Sequence, residues 1–483
     1  MSRVLIRFAG EGSGVGELSW GQQEIWRAVR RYGNSLSLGG VTGLPGGITV
    51  AEVAAGFGFL IGRHQALRTR LTFDEHGHVR QVVADRGEIG LEIVDVGEAG
   101  DGEGDGFGAD QAKAADAVFA RLSATDFDYE REWPVRIAVI RHGVAVTHMV
   151  AVYFHLTLDQ SGLNALVADL ANRDPVTGLA TRLVTGTPPL GQAAYQGTAA
   201  ARQQSVTALR YWERMLRSIP AQRFRTTTAD HDSGHRGVGR DSVGAQGTGH
   251  HRAGRYVDAH FTSPAVRAAL PLIAARSRTG TASVLLAAYA VALARVTGRN
   301  PSVARVVVGN RFRPGFADSV STVNQPGLCV IDVTGIGFED AIARAARASM
   351  NAYKHAYYDP ARRDELVEAI ARERGEEIDL SCFFNDRRGP DVDSSVAGVL
   401  PTAAAAQAVR DLRRDSTLRW IAEVEQSGER LFVHVEDDPD GVLFKTRADT
   451  RYFSSAELEE LLRGVEAVLV EAVEDAKAAT AVG

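Results

Sequence analysis

Apolar residues recur at Val50, Val53, Ala54, Phe57 and Ile61, a helical interval, and Thr49 stands three residues before Glu52 in the spacing of a capping box. The pattern predicts a helix that runs into Arg63-His64. Alternation takes over at Arg68 to Phe73 and His78 to Val83, on either side of the turn-forming Asp74-Glu75-His76-Gly77, and predicts a hairpin. A second hairpin is read from Val135 to Arg141, a His142-Gly143 turn, and Val144 to Phe154, whose second strand is apolar enough to be covered on both faces. Leu163, Leu166, Val167 and Leu170 then mark a helix, so His155 and Asp159 fall in a strand-to-helix loop.

Two stretches, Gly97 to Asp110 and Thr226 to Gly254, are rich in Gly and polar residues and are read as surface loops. Thr185 to Gln192 holds the pair Pro188-Pro189 and is read as an inter-domain linker. Beyond it come a polar amphipathic helix at Tyr195 to Leu216, a helix capped at Ser263-Pro264, and a buried helix from Ala282 to Thr297 that stops at Gly298. Strand candidates follow at Val303 to Val308, Leu328 to Val333, Ile378 to Phe384, Arg419 to Val424 and Leu431 to Val435, and a last helix after Ser454 with Glu457 at the box position. Strands and helices mix in both halves without a fixed repeat, which sets the class as α/β or α+β.

Length sharpens this picture. A chain of 483 residues exceeds the roughly 250 to 300 residues at which single cores stop growing, so two domains are expected, over 1–185 and 186–483. The net charge of −6 provides no cationic field for a polyanion, which argues against nucleic acid as a partner. The longest apolar run, Val284 to Ala294, is shorter than the roughly 20 residues that span a bilayer, and Met1 to Gly16 does not read as a signal peptide. Cys329 and Cys382 sit inside apolar segments as free thiols, so no membrane association and a reducing, cytoplasmic location are expected.

Chemistry concentrates at Phe154-His155-Leu156-Thr157-Leu158-Asp159-Gln160. A histidine at a strand exit has a fixed backbone, and imidazole takes a proton near neutral pH without prior activation. On these residues alone a lone histidine beside an apolar strand is more often a packed or capping side chain, and Asp159 reads as a helix cap. His231, His235, His250 and His251 match no metal-binding spacing, and no nucleotide-binding fingerprint follows a strand. Arg27, Arg30 and Arg31 form a basic cluster that reads as a solvated face or as a contact for an acidic partner.

Several stretches, in order, resemble the condensation domains of nonribosomal peptide synthetases. Leu18 to Trp26 is similar to the family's LSxxQxxLW, and Arg63-His64-Gln65-Ala66-Leu67-Arg68-Thr69-Arg70-Leu71 to its RHEALRTRF. Asp126-Phe127-Asp128 resembles PFDL, Tyr211-Trp212 the YW of the domain-joining helix, Ser321 to Gln325 the GFFVNT stretch, and Phe383-Phe384-Asn385 the MFN strand. Phe154 to Gln160 falls where HHxxxDG is expected, with Phe154 in place of the first His and Gln160 in place of the Gly. His355 to Pro360 departs from HQDxPFE. Gly239 to Val243 looks like a carrier-protein serine motif around Ser242, but no periodic helix flanks it and chance accounts for it.

The resemblance implies two chloramphenicol-acetyltransferase-like subdomains in a V-shaped pseudo-dimer with a central channel, in a free-standing, monomeric protein. It implies His155 as the catalytic base and Asp159 as a structural partner of Arg68, with Arg70 as the alternative. It assigns Gln160 and Asn324 to the oxyanion or channel region. The implied reaction joins a thioester donor to an amine or hydroxyl acceptor, as amide or ester. The donor rides on the phosphopantetheine of a carrier protein or on coenzyme A; the acceptor is a small molecule or carrier-bound. No covalently bound cofactor and no metal are expected. Two other readings stand beside it: a degenerate, non-catalytic module that recruits a carrier protein or tailoring enzyme, and an acyl-CoA-dependent acyltransferase acting on a small molecule.

Overall fold

A computed structural model describes residues 2–96, 107–224, 255–389, 402–424 and 428–482. The stretch Thr226 to Gly254, with Ser242 and the four histidines weighed above, lies outside the described residues, as does 97–106. Residues 107–110, expected in a loop, begin a helix instead.

The chain forms two compact units. One comprises Met1–Val206, Gly309–Gln325 and Tyr357–Pro360, the other Thr207–Val308, Pro326–Ala356 and Ala361–Gly483. The sequence reading draws one break at 185/186, whereas two later segments return here to the first unit, which no local pattern signals. Nor do the prolines stand between the two units: both lie within the first, and Pro189 opens a helix at the position where a missing N–H costs nothing.

The first unit holds strands β1 (Ser2–Ala9), β2 (Gly14–Glu17), β3 (Ser37–Gly43), β4 (Thr69–Phe73), β5 (Val79–Val83), β6 (Arg86–Asp95), β7 (Val135–His142) and β8 (Ala145–Phe154). Its helices are α1 (Trp20–Tyr32), α2 (Val50–Arg63), α3 (Phe107–Ala124), α4 (Gln160–Asp169), α5 (Pro189–Gln196) and the first turns of α6 (Ala199–Ser218). The larger sheet has the order β1-β6-β7-β8-β3, and the smaller one β2-β5-β4. Only β6 and β7 run parallel, and α3 lies in the crossover that a parallel pair requires. Phe57 and Ile61 of α2 pack in one core with Leu91, Val135 and Ile137, while Ala115 and Val118 of α3 pack against Ala138, Ile140 and Val150. The sheet is thus covered on both faces, as the apolar run of β8 demands.

In the second unit the sheet order is β11-β10-β12-β14-β15-β9-β13, with β9 (Tyr256–Ser263), β10 (Ser302–Val308), β11 (Gln325–Ile331), β12 (Cys382–Asp386), β13 (Thr417–Val424), β14 (Leu431–Asp438) and β15 (Gly441–Asp449). Helices α7 (Pro264–Ser277), α8 (Thr281–Thr297), α9 (Phe338–Lys354) and α12 (Ser455–Glu474) supply much of its core, with α10 (Pro360–Arg374) and α11 (Ala403–Leu412) between them in sequence. Residues Val284 to Ala294 are buried all round, so the longest apolar run is a core helix. No single helix among the described residues is long and apolar enough to cross a membrane. Two expected strands shift. β12 starts late because Asp379 accepts the Ser381 N–H in a side-chain turn, and β11 ends early because Asp332 does the same for Thr334.

Candidate active site

Strand β8 delivers the central loop. Its last residue, Phe154, donates its N–H to the Pro134 carbonyl and is buried, its ring stacked 4.9 Å from Tyr129 and 5.9 Å from Phe127. The chain then turns, with Thr157 N–H bonded to Phe154 O, and His155 stands at the bend, half-buried. Its Nδ1 lies 3.1 Å from the Leu158 carbonyl oxygen. A carbonyl only accepts, so Nδ1 carries the hydrogen and the neutral ring keeps its lone pair on Nε2. The His155 carbonyl in turn accepts from Thr322 Oγ1 at 2.7 Å. Backbone and ring are therefore both held.

Asp159 anchors the far side of the loop. Oδ1 accepts the Gly162 N–H at 2.7 Å as the N-cap of α4 and takes Nη2 of Arg311 at 2.5 Å. Oδ2 accepts the N–H groups of Val323 at 3.0 Å and Asn324 at 3.3 Å. This corrects the sequence reading, which paired Asp159 with Arg68 or Arg70. Arg68 is buried and donates instead to the carbonyls of Ala84 and Glu11, and Gly10 makes room, since a Cβ there would come within 2.7 Å of its Nε. Arg70 lies 3.6 Å over the Trp133 ring. Arg311 and Gly162 went unnoticed in the sequence, and Thr322 was singled out only as part of the Ser321-to-Gln325 stretch. Arg311 is 152 residues from Asp159, and only the return of 309–325 to this unit joins them.

Of the other singled-out residues, Gln160 is exposed at the first position of α4 and donates to Asn164. Asn324 joins the site through its backbone N–H. The close approach that a glycine permits occurs two residues after Gln160, at Gly162, where a Cβ would come within 2.8 Å of Ser321 O. The altered His355-to-Pro360 stretch divides: Tyr357 belongs to the first unit, accepts from Gln196 Nε2 at 3.0 Å and packs 4.7 Å from Trp20. Phe154→His, which would restore the two-histidine motif, is expected to lower stability by about 1 to 3 kcal/mol through a polar ring placed among Phe127 and Tyr129, without raising turnover; urea unfolding checks it.

The other end of α4 is tied as well. Asp169 accepts Arg63 through two nitrogens, at 2.8 and 3.0 Å, and His64 Nε2 lies 2.8 Å away. Burial raises the Asp169 pKa, but hydrogen bonds from His64, Arg63 and Asn172 more than reverse this and hold it well below the usual carboxylate range. A folded pKa below the unfolded value stabilises above the unfolded pKa and is lost as pH falls. The stability gap between wild type and Asp169→Asn is therefore expected to be full near neutral pH and to narrow below about pH 4, read from melting curves in acidic buffers.

No three His, Cys, Asp or Glu side chains gather as a metal site among the described residues. The family model described as a condensation domain matches residues 22–480. A stretch of 156 residues, 32% of this chain, is 28% identical to the probable non-canonical nonribosomal peptide synthetase CymA of Salinispora arenicola (strain CNS-205) and spans 2% of that protein's length. Among solved structures, the SgcC5 protein of Streptomyces globisporus is 17% identical with a TM-score of 0.68, over 96% of this chain and 100% of its own. A condensation domain that mediates chain release from the enacyloxin polyketide synthase is 18% identical with a TM-score of 0.68, over 96% and 83%. The X-domain from teicoplanin biosynthesis, also solved in complex with OxyB, is 16% identical with a TM-score of 0.66, over 98% of each chain. These likenesses are of fold: a mixed α/β architecture of two subdomains.

Proposed function

We propose that this chain, which belongs to the condensation-domain family, forms bonds of that type in natural-product biosynthesis, with His155 as the base that activates the acceptor for attack on a thioester donor. The observation that carries this reading is the Nδ1 hydrogen bond to Leu158, which leaves the lone pair on Nε2 of a ring whose loop Asp159 and Thr322 hold. In the step, the acceptor nitrogen or oxygen bonds to the thioester carbon as its proton passes to Nε2. The C–S bond breaks, and the proton leaves with the thiolate as free thiol. Base catalysis of this kind contributes about 10²- to 10⁴-fold, and alignment of two bound partners up to roughly 7 to 11 kcal/mol of barrier.

A phosphopantetheine-bound donor on a carrier protein is the substrate class we assign. The protein acts as a monomer in a reducing, cytoplasmic setting, a reading supported by the buried free thiols of Cys329 and Cys382. Phe154 and Gln160, where the motif departs from the family pattern, favour a second reading as a recruiting module. Carrier-bound and coenzyme A-bound acyl thioesters, each offered with amine and hydroxyl acceptors and followed by mass spectrometry, separate the readings. Product from the carrier-bound donor alone is expected. Product from coenzyme A alone would replace the carrier by a free acyl donor, and carrier binding without product would leave only the recruiting role.

A further inference from the structure

The turn before β7 and the neighbouring ends of β1 and β6 frame an open cavity of about 480 Å³ in the first unit. Its carboxylates are already engaged. Glu88 pairs with Arg7 at 2.9 Å, Glu92 with Arg121, and Glu132 with Arg136 at 2.7 Å. Asp128, next to the cavity, accepts the backbone N–H groups of Glu130 and Arg131. Three lining cations are left over. For the guanidinium groups of Arg3, Arg70 and Arg131, no hydrogen bond or ion pair occurs among the described residues.

Arg70 is the most telling of the three. It lies 3.6 Å over Trp133, and its Nε is buried without a partner. A buried donor without a protein partner is a place where a water or an anion is accommodated. Burial also lowers its pKa, with Asp128 opposing at longer range, so the present surroundings disfavour its charge. Arg3 crosses Gly90 so closely that a Cβ there would come within 1.5 Å of its Nε. A glycine in mid-strand thus gives the Arg3 side chain its course over the sheet.

Guanidinium forks match phosphate oxygens, and three of them around one space suit a multiply charged group better than a single carboxylate. We propose that this cavity binds a small phosphate-bearing anion through Arg3, Arg70 and Arg131. The site is separate from His155 in its residues yet joined to it in backbone, since Val135 pairs with Tyr153 and Pro134 O accepts the Phe154 N–H just before the histidine. The inference does not depend on His155 being a base.

Calorimetric titration of the whole protein with inorganic pyrophosphate, against chloride at matched ionic strength, tests it. Wild type is expected to bind one equivalent saturably. The double variant Arg3→Gln, Arg131→Gln is expected to bind at least about a hundredfold more weakly, at about tenfold per lost charged contact. Both of these side chains are exposed, so its melting temperature without pyrophosphate should be unchanged; Arg70 stays in place because its stack on Trp133 belongs to the packing. Competition by coenzyme A would identify the phosphate as one carried on a thiol cofactor, and its absence a free phosphorylated molecule. Heats that vanish against matched salt, or a double variant that binds as well as wild type, would overturn the site.

Discussion

Asp159→Ala is expected to lower stability by about 3 to 5 kcal/mol, the cost of leaving one member of a buried ion pair without the other. The side chains of Asp159 and Arg311 are 5% and 16% exposed, and the carboxylate serves two backbone N–H groups of 323–324 besides Arg311 and the helix cap. Removing it breaks the tie between the His155 loop and the returning segment 309–325. Arg311→Ala should cost a similar amount. The double variant should cost clearly less than the sum, because each single change strands the other charge. Arg68→Ala should instead add to Asp159→Ala independently, since Arg68 bonds elsewhere. Chemical unfolding of the three single variants and the two double variants measures all of this. An Asp159→Ala protein as stable as wild type would refute the assignment.

How far the sequence could be read depended on the range of the interaction. Elements defined by their own side chains were legible: the capping boxes at Thr49 and Ser454, the Ser263-Pro264 start, and the hairpin whose turn places Gly143 at φ +59°. Strands β9 and β15, which pair with one another, escaped notice. Charged and polar residues such as Asp258, His260, Lys445 and Arg447 break up their apolar pattern. Edges of β11 and β12 moved because single aspartates close local turns there.

The candidate site divides in the same way. The strand exit of His155 and the cap role of Asp159 follow from local pattern. The partner of Asp159 does not, because an arginine just past β10 carries no sign of which distant carboxylate it will meet. Motif likeness pointed to Arg68, and three-dimensional packing chose Arg311. Gln160, assigned by its motif position to the oxyanion or channel region, is exposed at the start of α4, and the backbone contact that needs a glycine, with Ser321, falls on Gly162. Phe154, in the place of the family's first histidine, is a packed ring stacked on two aromatics.

His155→Ala is expected to reduce product formation by at least about a hundredfold, the lower end of what a positioned base contributes. Its melting temperature should stay near that of wild type, because the loop itself is held by Asp159, Arg311 and Thr322. That separation distinguishes His155 from Asp159: the first change removes chemistry and keeps the fold, the second weakens both. Residual turnover is expected, since alignment of donor and acceptor does not need the imidazole.

The most direct test of the central claim is therefore a side-by-side assay of folded wild type and His155→Ala with a carrier-bound acyl thioester and an amine acceptor, product being followed by mass spectrometry. Product from wild type and at least a hundredfold less from the variant is the predicted result. Equal rates from the two proteins would show that His155 is not the base.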